Sequence, residues 1–272
     1  MTIKIAIVGV GGRLGSTIAR EIIADDRFDI AGGVVRADSD HFERDIGEIA
    51  GVDWIGKQTV VRLEDALAGA DAVIDASTPG ASAAIAGRLA DLGGPALLCG
   101  VTGLQSAAIE ALTQASKTFP VLTARNFSVG IALVEMLVST AAAGLPLERW
   151  DAEIVETHHR SKIDAPSGTA LLLGESVAKA RDQILDMIAE RGRSGGTAQR
   201  QPGAIGFSSM RGGAVIGDHD VRFLSNHEEI TISHRALDRR VFALGALTAA
   251  EWLVGQSPGM YTMRDVIGVP AR

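Results

Sequence analysis

A glycine-rich turn between an apolar strand and an amphipathic helix constrains the fold of this chain more than any other feature. The strand is Ile3–Val8, a continuous run of apolar residues, as expected of a strand buried on both faces. Four glycines follow within residues 9–15, and a helical pattern of apolar residues begins at Leu14. Such a turn lets backbone N–H groups approach a pyrophosphate at the helix N-terminus. It therefore predicts a dinucleotide-binding fold. The alternative is a turn that only packs the helix on the strand.

Strand and helix patterns continue to alternate after this turn. Further strands are predicted at Ile30–Val35, Ala72–Ala76, Ala96–Cys99 and Val121–Ala124. Helical candidates lie between most of them, for example Ala81–Asp91 and Ser106–Lys117. This alternation favours a parallel, doubly wound sheet of the Rossmann type.

The pattern changes after Phe127, where a second kind of domain is predicted. Its elements are a helix at Ser128–Ala143, a strand at Asp151–Thr157, a helix from Ser167, an exposed loop at 191–203, and strands at Ile205–Met210, Ala214–Leu224 and Glu229–His234. Consecutive strands joined by short turns indicate an antiparallel or mixed sheet. A helix at Arg240–Val254 returns to the first domain. The fold class is therefore α/β, with a dinucleotide-binding domain at 1–127, an inserted α+β substrate and oligomerisation domain at 128–239, and a returning segment at 240–272.

Composition excludes several classes of function. The net charge of −7 argues against nucleic-acid binding, which needs a clustered positive field. Cys99 is the only cysteine, so neither an intrachain disulfide nor a thiolate zinc site can form, and we predict no bound metal. The longest apolar run, Ile131–Leu147, contains Glu135 and is too short to span a membrane. The N-terminal residues show no export pattern, so we expect a cytoplasmic protein.

The end of the second strand bears on the choice of cofactor. An acidic residue about twenty residues beyond the glycine turn usually binds the ribose hydroxyls of NAD, but Arg36 stands there. A guanidinium at this place suits a 2′-phosphate, which predicts NADPH as the preferred cofactor and NADH as the weaker one. Asp38 and Asp40 could still serve a ribose, and a solvated surface arginine is the alternative.

The stretch from Glu156 to Ala170 is the richest in chemistry. Four proton-carrying groups lie within five residues: His158, His159, Arg160 and Lys162. Adjacent histidines lack the i, i+4 spacing of a helical metal pair. Ser167 is a good N-cap for the helix that follows, whose first N–H groups can hold a carboxylate. A capped helix after a basic loop is the alternative, and it explains Ser167 better than it explains the histidine–lysine cluster.

This stretch meets the pattern E-x-H-H-x-x-K-x-D-A-P-S-G-T-A at every fixed position. In that respect it closely resembles the 4-hydroxy-tetrahydrodipicolinate (dihydrodipicolinate) reductase family of bacterial lysine biosynthesis. The resemblance extends over essentially the whole chain. Its other motifs are the turn Gly9–Gly15, the loops Asp75–Pro79 and Gly100–Gly103, the segment Asn126–Gly130, the pair Arg211 and Gly217–His219, the segment Phe242–Ala246, and Met263–Val266.

The resemblance implies an activity and a set of site residues. The implied reaction is the reduction of 4-hydroxy-tetrahydrodipicolinate to tetrahydrodipicolinate by NADH or NADPH, in a homotetramer that pairs sheets of the inserted domain. His158 and Lys162 are the implied proton donors, and His159, Lys162, Gly168 and Thr169 would hold the two substrate carboxylates. The implied cofactor-binding residues are Gly9, Val10, Gly11, Gly12, Arg13, Leu14, Arg36, Gly100, Val101, Thr102, Ala124, Arg125, Asn126 and Phe127. The family often has Glu-Arg after the second strand, and Val35-Arg36 lacks that glutamate, which weakens the case for NADH.

Two rival functions remain at this point. Another small Rossmann dehydrogenase, of the aspartate or homoserine type, would share the first domain but not the block from His158 to Thr169. A nucleotide-sensing protein without turnover would have no use for a cluster of histidine and lysine proton donors.

Overall fold

The computed structural model describes residues 2–196 and 198–268, and the chain forms two compact units. The first unit combines Met1–Val129 with Arg240–Arg272, and the second is Gly130–Arg239. In chain order the elements are β1 (Ile3–Val8), α1 (Arg13–Ile23), β2 (Phe28–Val34), α2 (Ile46–Ala50), β3 (Thr59–Val60), α3 (Leu63–Ala66), β4 (Ala72–Asp75), α4 (Pro79–Leu92), β5 (Ala96–Cys99), α5 (Ser106–Ala115), β6 (Pro120–Thr123), α6 (Val129–Gly144), β7 (Asp151–His158), α7 (Gly168–Ala180), α8 (Leu185–Ile188), β8 (Ala189–Glu190), β9 (Ile205–Arg211), β10 (Asp218–Leu224), β11 (Glu229–Arg235), α9 (Arg240–Leu253), β12 (Gly259–Tyr261) and α10 (Met263–Val266).

The first unit is built on a seven-stranded sheet in the order β12-β6-β5-β4-β1-β2-β3. Every neighbouring pair in it is parallel, and the order reverses at β1, which is the arrangement of a Rossmann fold. The predicted fold class is confirmed. The apolar runs of β1, β4 and β5 are buried because helices cover both faces of a parallel sheet.

Helix α9 belongs to the first unit and packs on α1. One ion pair joins the two helices at their surface-facing edge. The Glu21 carboxylate of α1, which is 4% exposed, accepts bonds of 2.8 Å from both Nε and Nη2 of Arg240.

The second unit has a mixed five-stranded sheet in the order β11-β10-β7-β9-β8. Strand β10 runs antiparallel to β7 and β11, whereas β7 and β8 run parallel to β9. Burial alternates along β7 and β10, so one face of the sheet is apolar and packs against α6 and α7. The mixed sheet agrees with the sequence prediction.

The sequence prediction differs from the structure in the shortest elements, by one or two residues at many boundaries, and by four residues at one boundary. Strands β3 and β12, at the two edges of the large sheet, have two and three residues and are too short to show a periodicity. The strand predicted to begin at Ala214 begins at Asp218. The reason is a turn at residues 213–214, where Gly213 has φ +53°; residues 215–217 after it have no regular structure. Gly212 N–H donates to His158 O at 3.0 Å, and Arg160 N–H donates to Gly213 O at 3.3 Å.

The glycine turn provides a test of the packing between β1 and α1. A Cβ added at Gly15 would lie 2.2 Å from Gly9 O, so Gly15→Ala must push the helix off the turn. We expect a loss of about 1–3 kcal/mol, the usual cost of overpacking, measured as the shift in the urea unfolding midpoint. Gly87→Ala is the matched control, because Gly87 is an exposed residue of α4 whose added Cβ would meet nothing within 4 Å. It should stabilise the helix by roughly 0.5–1 kcal/mol. Equal stabilities of the two variants would contradict this packing.

Candidate functional site

A cavity of about 690 Å³ opens at the carboxyl ends of β1, β2 and β4. The glycine turn, the segment after β2 and the segment after β4 line it. Ligands of open parallel sheets bind along this edge, at the point where the strand order reverses. The cavity therefore lies where a Rossmann fold holds a dinucleotide.

The backbone of the glycine turn forms one wall of this cavity. Gly9 has φ +81°, and an added Cβ there would lie 2.7 Å from Ala76 O, so only glycine fits. Gly12 is the N-cap of α1 and offers no side chain to bond the first-turn N–H groups. Such N–H groups have no partner within a helix and bind anions well. The turn fits the pyrophosphate of a nicotinamide dinucleotide.

Arg36 and Asp38 both line this cavity beside Gly9, Gly11 and Gly12. Their side chains are 81% and 76% exposed, and Arg36 Nε lies 3.4 Å from an Asp38 carboxylate oxygen. The guanidinium expected to bind a 2′-phosphate and the carboxylate that could bind a ribose thus lie side by side. An exposed pair of this kind is weak, so either partner can turn to a ligand.

The structure brings together only part of the predicted cofactor set in this cavity. Among the described residues, Val10, Arg13 and Leu14 are not in its lining. Val10 is fully buried in the core, and Arg13 is exposed in the first turn of α1.

The loops after β5 and β6 form a second group further along the same sheet edge. Ala124 N–H donates to Cys99 O at 2.9 Å, and the Phe127 ring packs so closely over Gly100 that a Cβ there would lie 2.3 Å from it. Phe127 and Val101 are buried. The remaining predicted residues of these loops are exposed or half-buried: Thr102, Arg125 and Asn126.

The cation-rich segment of the second unit runs from the end of β7 to the start of α7. His158 is the last residue of β7, and Ser167 is the N-cap of α7, where its Oγ accepts the Ala170 N–H at 3.1 Å. Gly168 and Thr169 form the first turn of this helix. The predicted N-cap is confirmed, and the loop 159–166 carries the remaining cations.

Two short-range contacts order the loop. Lys162 Nζ donates to Asp164 Oδ1 at 2.8 Å, and His159 Nδ1 lies 2.8 Å from Ser161 Oγ. Burial opposes ionisation of Asp164, but the bond from Lys162, a backbone bond and the charges of Lys162 and Arg211 together outweigh it and hold the pKa of that carboxyl below its usual value. The ion pair with Asp164 therefore holds the Lys162 side chain at the loop.

One buried carboxylate beside this loop was not among the predicted site residues. Glu156 is 1% exposed and accepts bonds from His158 Nδ1 at 2.5 Å and from Arg211 Nη1 and Nη2 at 2.9 and 2.7 Å. Burial raises the pKa of Glu156, but the bonds from Arg211, Ser209 and His158 together outweigh it and leave the pKa below its usual value. Glu156 is therefore an ionised group beside a predicted proton donor.

A second histidine, His219, contacts His158. His219 Nε2 is 3.0 Å from Ser167 Oγ, and the His158 and His219 rings meet edge to face with centroids 5.2 Å apart. Burial, together with the charge of His158, lowers the pKa of His219 to about 4, so this histidine is neutral near pH 7. Burial also lowers the pKa of His158, against the raising effect of Glu156.

Strand pairing explains why sequence reasoning missed Glu156, Arg211 and His219 as site residues. In the ladder His158 is paired with Arg211, and Glu156 with His219. These pairings join residues more than fifty positions apart, so no local pattern shows them. Glu156 and His158 are two apart on one strand and therefore share a face. That spacing is the local signal that could have identified Glu156.

The described residues contain neither a metal-binding cluster nor a membrane-spanning helix. Residues 2–196 and 198–268 contain no group of three or more histidine, cysteine, aspartate or glutamate side chains arranged to hold a metal ion. No helix within the same ranges is long and apolar enough to cross a membrane.

Comparisons with known proteins agree with this geometry. A family profile described as "Dihydrodipicolinate reductase, N-terminus" matches residues 3–127, and one described as "Dihydrodipicolinate reductase, C-terminus" matches residues 130–267. A 4-hydroxy-tetrahydrodipicolinate reductase of Caulobacter vibrioides is 44% identical over 268 residues, with 98% of this chain and 97% of the relative covered. One from Halorhodospira halophila is 41% identical, with 99% of this chain and 100% of the relative covered.

A solved structure shares the fold. It is the dipicolinate-bound dihydrodipicolinate reductase of Paenisporosarcina sp. TG-14, which is similar with a TM-score of 0.76 and 21% identity, over 96% of this chain and 98% of that one. The Rossmann-type unit and its cavity define an oxidoreductase that uses NAD(P)H. Over both units, the chain belongs to the dihydrodipicolinate reductase family.

Proposed function

We propose that this chain reduces 4-hydroxy-tetrahydrodipicolinate to tetrahydrodipicolinate with NAD(P)H. The observation that carries this function is the complete segment from Glu156 to Ala170, which places two candidate proton donors and the start of α7 within one short loop. The rival functions lack a reason for this segment. A dehydrogenase of another type or a nucleotide sensor would not require histidines, a lysine and an anion-binding helix end together.

Substrate binding is assigned to the loop and the helix that follows it. The substrate has two carboxylates, so a site for it needs cationic and N–H donors. Lys162 and His159 supply the side-chain donors, and Gly168 and Thr169 supply first-turn N–H groups at the positive end of α7. Ser167 Oγ accepts the N–H of Ala170 and so caps the helix whose first turn contains these two residues.

Proton transfer is assigned to His158 and Lys162. The substrate loses its 4-hydroxyl group as water to give a conjugated ring, and the nicotinamide, when bound, would supply a hydride to that ring. The charge that develops on the ring requires one proton, which a positioned imidazolium or ammonium can donate as general acid. The cations of the loop also stabilise the developing negative charge. His158 is buried and lies beside an ionised carboxylate, which favours the imidazolium that a proton donor requires.

Cofactor binding is assigned to the first unit. Gly9, Gly11 and Gly12 would hold the pyrophosphate, and Arg36 would hold a 2′-phosphate. The loops Gly100–Thr102 and Ala124–Phe127 would lie against the nicotinamide. We propose that NADPH is the preferred cofactor, because a guanidinium binds a phosphate by charge-assisted, partly bidentate bonds.

We further propose a cytoplasmic homotetramer. Strand β11 is an edge strand whose side chains are mostly exposed, and a second copy pairing at this sheet would cover it. Its mass in solution tests the assembly: light scattering at micromolar concentration should return four chains, and the mass of one chain would refute it. Fractionation of cells tests the location.

Replacing Lys162 tests the catalytic assignment. In an assay that follows NADPH oxidation with the product of dihydrodipicolinate synthase as substrate, Lys162→Ala should lose at least about a hundredfold in kcat, the scale of a positioned general acid. The NADPH dissociation constant should change little. Lys179→Ala, an exposed lysine in the last turn of α7, is the matched control and should keep wild-type turnover. Near-normal turnover of purified Lys162→Ala would refute the assignment.

Replacing Arg36 tests the cofactor assignment. We expect the wild-type protein to bind NADPH about tenfold more tightly than NADH, which is about 1.4 kcal/mol. Arg36→Ala should erase most of that difference and leave the NADH constant nearly unchanged, as measured by fluorescence titration. Arg44→Ala removes another exposed arginine that is paired with an acid, Glu48, and should leave both constants as they are. A wild-type preference for NADH, or equal weakening of both cofactors in Arg36→Ala, would contradict the role of Arg36.

A further inference from the structure

We infer that Glu156, clamped by Arg211, is a positioning residue that fixes the tautomer and ring orientation of His158, so that Nε2 is the atom that gives up the proton. The inference rests on the proposed role of His158 as a proton donor. Glu156 acts through His158 and need not contact the substrate or the cofactor.

The geometry at Nδ1 determines the tautomer. An ionised carboxylate only accepts hydrogen bonds, so the Glu156 oxygen 2.5 Å from His158 Nδ1 requires a proton on Nδ1. Arg211 occupies both oxygens of the same carboxylate, which fixes its plane and prevents it from turning away. With Nδ1–H committed to Glu156, the proton that His158 can donate is the one on Nε2.

The surroundings of Nε2 fit a donating atom. Gly217, just before β10, lies against this nitrogen: an added Cβ would be 3.0 Å from Nε2. Glycine at 217 therefore keeps the space beside the ring edge free of side-chain atoms. His219, on the same side, is neutral near pH 7 and does not compete as a proton donor.

The charges around His158 make the carboxylate important for its protonation. Glu156 on β7 favours the imidazolium, whereas burial and the positive charges of Lys162 in the loop and Arg211 on β9 disfavour it. Lys162 is itself paired with Asp164, and His219 on β10 is the remaining titratable neighbour. Removing the charge of Glu156 would leave the disfavouring influences unopposed, so the pKa of His158 should fall further.

Glu156→Gln tests this arrangement with almost no change in size. The amide must turn its NH₂ group toward Arg211 or toward His158 Nδ1. In either orientation the NH₂ group faces another N–H donor and forms no hydrogen bond with it. The His158 proton should be lost at lower pH, so the high-pH limb of the kcat/KM profile should move down by at least about one pH unit. We expect kcat to fall about ten- to hundredfold, the scale found when an orienting partner is removed, with little change in KM.

Glu21→Gln is the matched control. Glu21 is also a buried carboxylate held by two bonds from one arginine, Arg240, but it lies in α1 of the first unit. Any general effect of losing a buried bidentate ion pair should appear in both variants. Only Glu156→Gln should move the pH profile, and an equal shift in Glu21→Gln would overturn the inference.

The tautomer can be measured without turnover. In ¹⁵N-labelled protein, the shifts of the neutral His158 ring should show Nδ1–H in the wild type and a mixture or Nε2–H in Glu156→Gln. If Glu156→Gln does not fold, Arg211→Lys is the second variant. It keeps the positive charge but loses the two-bond guanidinium contact with Glu156, so His158 should show a tautomer ratio between pure Nδ1–H and pure Nε2–H. An unchanged tautomer together with an unchanged pH limb overturns the inference. Full turnover of His158→Gln would instead refute the proposed proton donor, so the two failures are distinguishable.

Discussion

The candidate substrate site depends on one buried ion pair between neighbouring strands. Glu156 on β7 and Arg211 on β9 each bond the loop above them as well as each other. Ser167 N–H donates to Glu156 at 3.3 Å, and Arg211 Nη2 donates to Asp164 O at 2.7 Å. Removing one partner of such a pair typically costs about 3–5 kcal/mol, because it leaves an uncompensated buried charge. The pair therefore anchors both the end of the loop and the start of α7, which carry the proposed donors.

The two units contribute different chemistry. The first unit has a sheet edge shaped by glycines, with few charges beyond Arg36 and its acidic neighbours. This arrangement suits a ligand held by backbone N–H groups and helix ends. The second unit concentrates cations in one loop above an ionised carboxylate. This arrangement suits an anionic substrate that must receive a proton.

Local patterns predicted most of the fold. The apolar run of β1, the glycines after it and the alternation of strands and helices predicted the Rossmann-type sheet, since each signal is contained within a few residues. Likewise, Ser167 followed by an alanine- and leucine-rich stretch predicted the start of α7. Strands β3 and β12 were not predicted because two or three residues show no periodicity. The start of β10 was predicted too early because a turn at residues 213–214 interrupts the chain there.

The site was only partly predictable for the same reason. His158, His159 and Lys162 are close in sequence and could be found by their density. Arg211 and His219 reach the site through strand register, which a single sequence does not show. The Rossmann cavity likewise includes Arg36 but not Arg13, because a residue in the first turn of a helix can point away from the ligand that its backbone would hold.

The central claim is that the loop between β7 and α7 forms a site for two carboxylates. Calorimetric titration with pyridine-2,6-dicarboxylate and with pyridine-2-carboxylate, each in the presence of NADPH, tests it most directly. If His159, Lys162 and the first turn of α7 hold both carboxylates, the compound with one carboxylate should bind at least about tenfold more weakly, because donors that the bound ligand covers lose their partner. Equal affinities for the two compounds would contradict the account.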